Sequence, residues 1–417
     1  MPTSGPTASS LTVDVRCTTI SFSAPSSHSA KAQSSKNMKP KSKIARSDSV
    51  SSPEDSFSLP FSGSLKDLSL PSVSLPYEHL EPDQALIRAK THAFKPDTVA
   101  AALVNGCSAL SVKLYLQAFP RTAVVSGLKA LVEGHRIVTY AIERNSIECL
   151  QILLEYDLDP KAKDFGKIPV LAVAIMRAEW TFVNYTEIVK LLLTYGASPQ
   201  SIPHDFWTEY VKTPSVMQPD GYKPKPKDRW CTPEYRAILA RTCNLTMRYL
   251  LWRAARLDTP MKRMQQVAAA QKMTPLLMLP FQIIGQELAA KAVMEAVFAH
   301  VALNTAKPLV LAFAGLSGHG KTELAKQMGG LINAPLLDVD CTHAQREDEL
   351  FGPHAPYNGH EAGSPLGNFL AEHSTRQSVV FLDEFDKTKT EIRNALLKIM
   401  DCGKLRRTLF HHIVRDR

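Results

Sequence analysis

A chain of 417 residues, 44% of them apolar, is too long for one compact domain and holds enough core-forming side chains for two or three. No run reaches the roughly 18 uncharged apolar residues of a membrane-spanning helix, so a membrane partner is not expected. The 7 cysteines are scattered with no Cys-x-x-Cys pair, which removes a disulfide framework and a zinc cage and suits an intracellular, reducing compartment. The net charge of +9 would point to an acidic partner only if the excess were concentrated, and much of it lies outside the expected domains.

Residues 1–75 form a Ser-rich tail with no sustained apolar period, a composition expected to stay disordered because too little surface is buried to offset chain entropy. Within it Lys31, Lys36, Lys39, Lys41, Lys43 and Arg46 make a basic stretch. A solvated tail carrying phosphorylation sites, a nuclear or nucleic-acid patch and an organelle transit peptide all fit this pattern. Asp14 and the prolines weaken an amphipathic presequence, so a cytoplasmic location is favoured with a mitochondrial one as the alternative. The N-terminus lacks the apolar core a secretory signal needs.

Residues 76–203 take on helical spacing of apolar side chains. An internal echo appears there: Glu148-Cys-Leu-Gln-Ile-Leu-Leu-Glu-Tyr-Asp-Leu-Asp-Pro160 recurs 39 residues later as Glu187-Ile-Val-Lys-Leu-Leu-Leu-Thr-Tyr-Gly-Ala-Ser-Pro199, while Ala141 and Ala174 are 33 apart. This resembles the ankyrin repeat, with a weaker third copy at Val112–Pro120 and a degraded Thr-Pro-Leu-His box at Ile168-Pro-Val-Leu171. A single helix pair cannot cover its own apolar face and must stack on neighbours, so Leu153, Leu154, Leu192 and Leu193 are expected in the core. The resemblance implies a protein partner bound on a concave face.

Residues 204–274 read as a connector, first a Lys/Pro-rich spacer and then helices from Pro233 to Met273 whose Arg and Lys residues are expected on a solvated face.

The strongest signal is Gly315-Leu-Ser-Gly-His-Gly-Lys-Thr322, a full Gly-x-x-x-x-Gly-Lys-[Ser/Thr] match between an apolar run, Leu309–Ala314, and a helical segment, Glu323–Met328. Glycines let a backbone close around phosphate with N–H groups inward, and the helix N-terminus adds partial positive charge. Lys321 is expected on the β- and γ-phosphates and Thr322 on Mg2+. Asp383 lies 62 residues beyond Lys321, at the end of the apolar run Val379-Val-Phe-Leu382 and next to Glu384. A buried parallel strand delivers such carboxylates to the C-terminal edge of a sheet, where Asp383 would share the Mg2+ and Glu384 would orient or deprotonate water.

From about Leu276 to Arg406 the ordered motifs resemble the Clp-type (heat-shock disaggregase) AAA+ ATPases, in particular their second module. The pieces are Ile283-Ile-Gly-Gln286, Gly315–Ala325, Leu337-Asp-Val-Asp340, Leu350-Phe-Gly352, Tyr357–Gly363, Val379–Lys387 and Leu396–Asp401. The resemblance implies ATP as cofactor. It further implies that Ile283 and Ile284 hold the base and that Gly315, Ser317, Gly318, His319, Gly320, Lys321, Thr322 and Glu323 hold the phosphates. Tyr357 and Gly359 are implied as a pore loop gripping an unfolded or aggregated polypeptide in a homo-hexamer. In the block following Leu405, counterparts of the family's sensor strand, arginine finger and helical lid are not recognisable.

The expectation is therefore a multidomain chain: an α-helical ankyrin-like repeat stack, then an α/β P-loop AAA+ module with a three-layer parallel sheet over residues 275–417, truncated at its C-terminus. Its expected function is ATP-driven unfolding or disaggregation of polypeptides. The alternative is an ankyrin-based binding protein with a weak or inactive ATPase remnant. A nucleic-acid motor is disfavoured because basic residues do not cluster around the ATP motifs.

Overall fold

The computed structural model describes residues 18–21, 68–77, 79–91, 93–216, 229–303, 307–342, 347–351 and 364–402. Most of residues 76–254 form paired helices stacked in two rows. The pairs are α1 (Pro96–Val104) with α2 (Ala109–Gln117), α3 (Ile137–Arg144) with α4 (Ile147–Glu155), α5 (Val170–Met176) with α6 (Thr186–Thr194), and α7 (Pro233–Thr242) with α8 (Leu245–Ala254). Helices α1, α3, α5 and α7 pack on one another in succession, and so do α2, α4, α6 and α8. Leu153, Leu154, Leu192 and Leu193 are all buried, because each helix offers an apolar stripe that only its neighbours cover.

Two short hairpins introduce α3 and α5. Strands β2 (Leu131–Val132) and β3 (His135–Arg136) pair antiparallel, as do β4 (Lys163–Asp164) and β5 (Ile168–Pro169). Glu133 and Gly134 turn the first with φ of 49° and 82°, the left-handed pair that a two-residue hairpin requires. The hairpins are joined through the buried carboxylate of Asp164. It accepts from Arg136 N at 2.9 Å, Phe165 N at 2.8 Å and the Thr139 hydroxyl, and His135 Nδ1 lies 3.0 Å away.

The segment expected to connect stack and module packs with the stack. Ile238, Leu239, Met247, Leu250 and Leu251 join the core that begins at Leu68, and Met278 and Phe281 extend it to the module's lead-in. Its arginines depart from the solvated face expected of them. Arg236, Arg248 and Arg253 are buried, held by the Asp205 carboxylate, by Tyr210 O, and by Glu287 with Pro280 O. Burying a guanidinium is tolerable only when a carboxylate or carbonyls meet it, and here each finds one or both.

The module itself begins with α9 (Glu287–Leu303). Strand β6 (Leu311–Ala314) leads into α10 (Lys321–Leu331), and β7 (Leu336–Asp340) pairs in parallel with β8 (Val379–Asp383). Helices α11 (Pro365–Glu372) and α12 (Thr390–Cys402) follow. One core lies between α9 and α10 under β6; another, of Leu350, Phe351, Leu366, Ile392 and Leu396, lies against β7 and β8.

Two features differ from the sequence expectation. The parallel strands form two separate pairs among the described residues, where one sheet was expected: β7 with β8, and β6 with β1 (Thr18–Ser21). Strand β1 also belongs to the tail expected to lack structure, as does buried Leu68, whose carbonyl accepts from Arg177 Nη1 at 2.8 Å. The physical reason is an open ladder. Strand β6 carries unpaired backbone groups along its edge, and Thr18–Ser21 satisfies them in parallel register from Thr18↔Leu311 to Ser21↔Ala314.

Candidate functional site

Strand β6 ends at Ala314, and the chain then makes a glycine-dependent loop into α10. Gly315, Gly318 and Gly320 have φ of 145°, 79° and 83°, values that L side chains rarely adopt. A Cβ on Gly318 or Gly320 would meet nothing within 4 Å, so glycine is required there by backbone conformation. Gly320 is the N-cap of α10, leaving the first-turn N–H groups of a long helix directed at the loop. Residues 315–318 are exposed. The Lys321 ammonium folds back over this loop, donating to Gly315 O at 2.8 Å and Leu316 O at 2.6 Å. His319 Nδ1 lies 3.2 and 3.0 Å from the carbonyls of Leu316 and Ser317. Thr322 and Glu323 sit exposed at the first turn, with Glu323 bonded to Gln327 Nε2.

The acidic pair lies at the end of β8. Asp383 stands opposite Asp340 of β7, and its carbonyl accepts from Cys341 N at 3.0 Å. Its carboxylate accepts from Glu384 N at 3.0 Å, and Glu384 adopts a left-handed φ of 54°. The Glu384 carboxylate lies 3.0 Å from Lys387 Nζ, which raises the lysine's pKa. Helix α10 packs on both β7 and β8, and its Lys326 reaches Asp338 Oδ2 at 3.1 Å. Asp338 first, and Asp383 more weakly, raise the Lys326 pKa. Phosphate loop and acids are therefore linked through one helix, without a shared strand ladder.

Ile283 is buried with Leu324 and Met328 of α10, whereas Ile284 is 71% exposed. Ile284 rims an open groove of about 600 Å³ together with Tyr249 and Leu250 of α8 and Lys326 and Gln327 of α10. Residues 315–322 lie outside its lining. Tyr357 and Gly359, expected as a pore loop, fall outside the described residues. The residues that sequence reasoning missed are Lys326, Asp340 and Arg253. Asp340 was legible only as one letter of a motif, and Arg253 was read with its neighbours as solvated charge.

The chemistry of the donors suits the phosphates of a nucleotide and, at two separate places, a divalent cation. The loop offers backbone donors and an ammonium, and Thr322 with Asp383 offers the few hard oxygen ligands that Mg2+ accepts alongside water. Among the described residues no helix is long and apolar enough to cross a membrane.

Residues 307–412 match the family model of the AAA domain (Cdc48 subfamily), and residues 266–342 match that of Torsin. The chaperone protein ClpB of Chlamydia pneumoniae is 34% identical over 133 residues, which is 30% of this chain and 15% of that protein. The ClpA homolog protein of Fuscovulum blasticum is 34% identical over 96 residues, 22% of this chain and 12% of that protein. The mitochondrial ClpB4 of Arabidopsis thaliana is 30% identical over 156 residues, 35% of this chain and 16% of that protein. The chain thus spans about one sixth or less of the length of these relatives. Both family-model matches fall within residues 266–412 and include the glycine loop of residues 315–322.

Proposed function

We propose that residues 275–417 bind and hydrolyse ATP to unfold or disaggregate polypeptides, and that the repeats of residues 76–203 are ankyrin-like and bind a protein partner or the substrate. The observation that carries this reading is the phosphate loop, set between a parallel strand and a helix N-terminus with Lys321 folded over its carbonyls. Lys321 exchanges those carbonyls for phosphate oxygens, an ammonium being better satisfied by charged acceptors. Thr322 and Asp383 would hold Mg2+, whose charge would offset that of the phosphates. Glu384 orients the attacking water and takes its proton on a carboxylate oxygen, which requires release from Lys387. Ile283 and Ile284 border the base. The family resemblance implies a homo-hexamer of the complete module, in which Tyr357 and Gly359 touch the polypeptide. Location in the cytoplasm is favoured, with mitochondria the alternative.

The second reading, a binding protein with a weak ATPase remnant, draws support from the separation of β6 and β8 into different strand pairs. One experiment divides the two. In the full chain, Glu384→Gln is expected to keep ATP binding while slowing phosphate release by roughly 10²–10⁴, and Lys321→Ala to abolish binding. Unchanged hydrolysis in Glu384→Gln removes the catalytic role, and absence of ATP binding by the unaltered chain favours the remnant.

A further inference from the structure

Arg253 stands in the last turn of α8, yet the groups that hold it lie in the module's lead-in and at the start of α9. Its Nε donates to Pro280 O at 3.1 Å, and its Nη1 lies 2.7 Å from Glu287 Oε1. Pro280 immediately precedes the segment 281–286 and Glu287 immediately follows it. One guanidinium therefore grips both ends of the stretch that contains Ile283, Ile284 and Gly285, the last with φ of 78°. The arginine side chain is only 4% exposed, and its Nη2 is buried without a hydrogen-bond partner among the described residues. A buried guanidinium that meets a carbonyl through Nε and a carboxylate through Nη1 ties the two together. Ile283 is buried in the core that includes Leu324 and Met328, so the segment is anchored at its middle as well as at its ends, with Ile284 exposed beside it.

We propose that Arg253 is a positioning residue for the nucleotide base: acting through Pro280 and Glu287, the last helix pair of the stack sets the shape of the 281–286 segment and hence affinity for the base. This rests on the reading of Ile283 and Ile284 as the base contacts. It makes the helix stack part of the nucleotide site, where composition alone suggested a separate connector.

Base and phosphate contributions can be separated by measuring the dissociation constants of ATP and of inorganic triphosphate for the full chain. Arg253→Met is expected to weaken ATP by roughly tenfold, the cost of losing a bond to a charged group, and triphosphate by less than about twofold. Arg253→Lys, which can satisfy one end of the segment at a time, falls between. Equal weakening of both ligands, or of neither, overturns the positioning role. Failure of the unaltered chain to bind either ligand overturns the nucleotide reading itself, and this inference with it. Should Arg253→Met not fold, Glu287→Gln keeps the Pro280 bond and must still weaken ATP selectively; if it does not, the proposal falls.

Discussion

Asp157 and Gly196 occupy the same place in two copies of one turn, 39 residues apart, and both have a left-handed backbone, with φ of 62° and 101°. Each turn closes with the same pair of bonds: Asp157 N to Leu154 O and Leu158 N to Leu153 O in the first, Gly196 N to Leu193 O and Ala197 N to Leu192 O in the second. That is a helix C-terminus satisfied by a residue that should be glycine. The first copy carries an Asp in that conformation, with the exposed Lys262 ammonium 3.6 Å from its carboxylate.

Substitutions at the two positions should therefore act in opposite directions. Asp157→Gly is expected to raise stability by up to about 1 kcal/mol, and Gly196→Ala to lower it by about 1–3 kcal/mol. A Cβ on Gly196 would stand 2.8 Å from Thr259 Cγ2, which adds a clash to the backbone strain. Urea melts of the single variants decide it, and equal signs would show that the turns are not equivalent.

Asp164 ties the hairpin ahead of α5 to the one ahead of α3, and it is buried with four groups around its carboxylate. Asp164→Ala leaves the Arg136 and Phe165 N–H groups and the Thr139 hydroxyl without their acceptor. The expected loss is about 2–4 kcal/mol, with Asp164→Asn losing less because its carbonyl still accepts. A loss below about 0.5 kcal/mol in denaturant midpoints would mean that water replaces the carboxylate freely.

Periodicity made the stack and the phosphate loop legible because both depend on local rules: apolar spacing for helices that bury one face, and glycines where φ must be positive. The Leu153-Leu154 and Leu192-Leu193 pairs and Gly318 and Gly320 are examples. What escaped depends on distant partners. Whether Arg253 is solvated or buried turns on Glu287, 34 residues away, and nothing in its neighbourhood encodes that. Strand β1 escaped for the same reason, since Thr18–Ser21 is a strand only because β6 offers it a ladder nearly 300 residues later. Composition reads such a segment as a tail.

Three buried thiols give the alkaline limit of stability. Burial, joined by the Asp83 charge, pushes Cys107 up to about 11. Burial alone pushes Cys243 up to about 12, with Arg248 opposing, and burial with Asp340 and Asp383 pushes Cys341 up to about 11. In each case the folded protein favours the neutral thiol. A group whose folded pKa lies above its unfolded value binds protons more tightly when folded, so its contribution is complete below about pH 8.5 and is lost as pH rises toward 11. Melting temperature is therefore expected to hold between about pH 7 and 8.5 and then to fall. The same shift keeps these sulfurs protonated near neutrality, where the thiolate is the reactive form, so alkylation of Cys107, Cys243 and Cys341 at pH 7.5 should wait on unfolding. Peptide mapping after a brief iodoacetamide pulse tests this residue by residue. Rapid labelling of Cys341 in the folded protein would mean that the ends of β7 and β8 open readily, which would loosen Asp340 and Asp383 together.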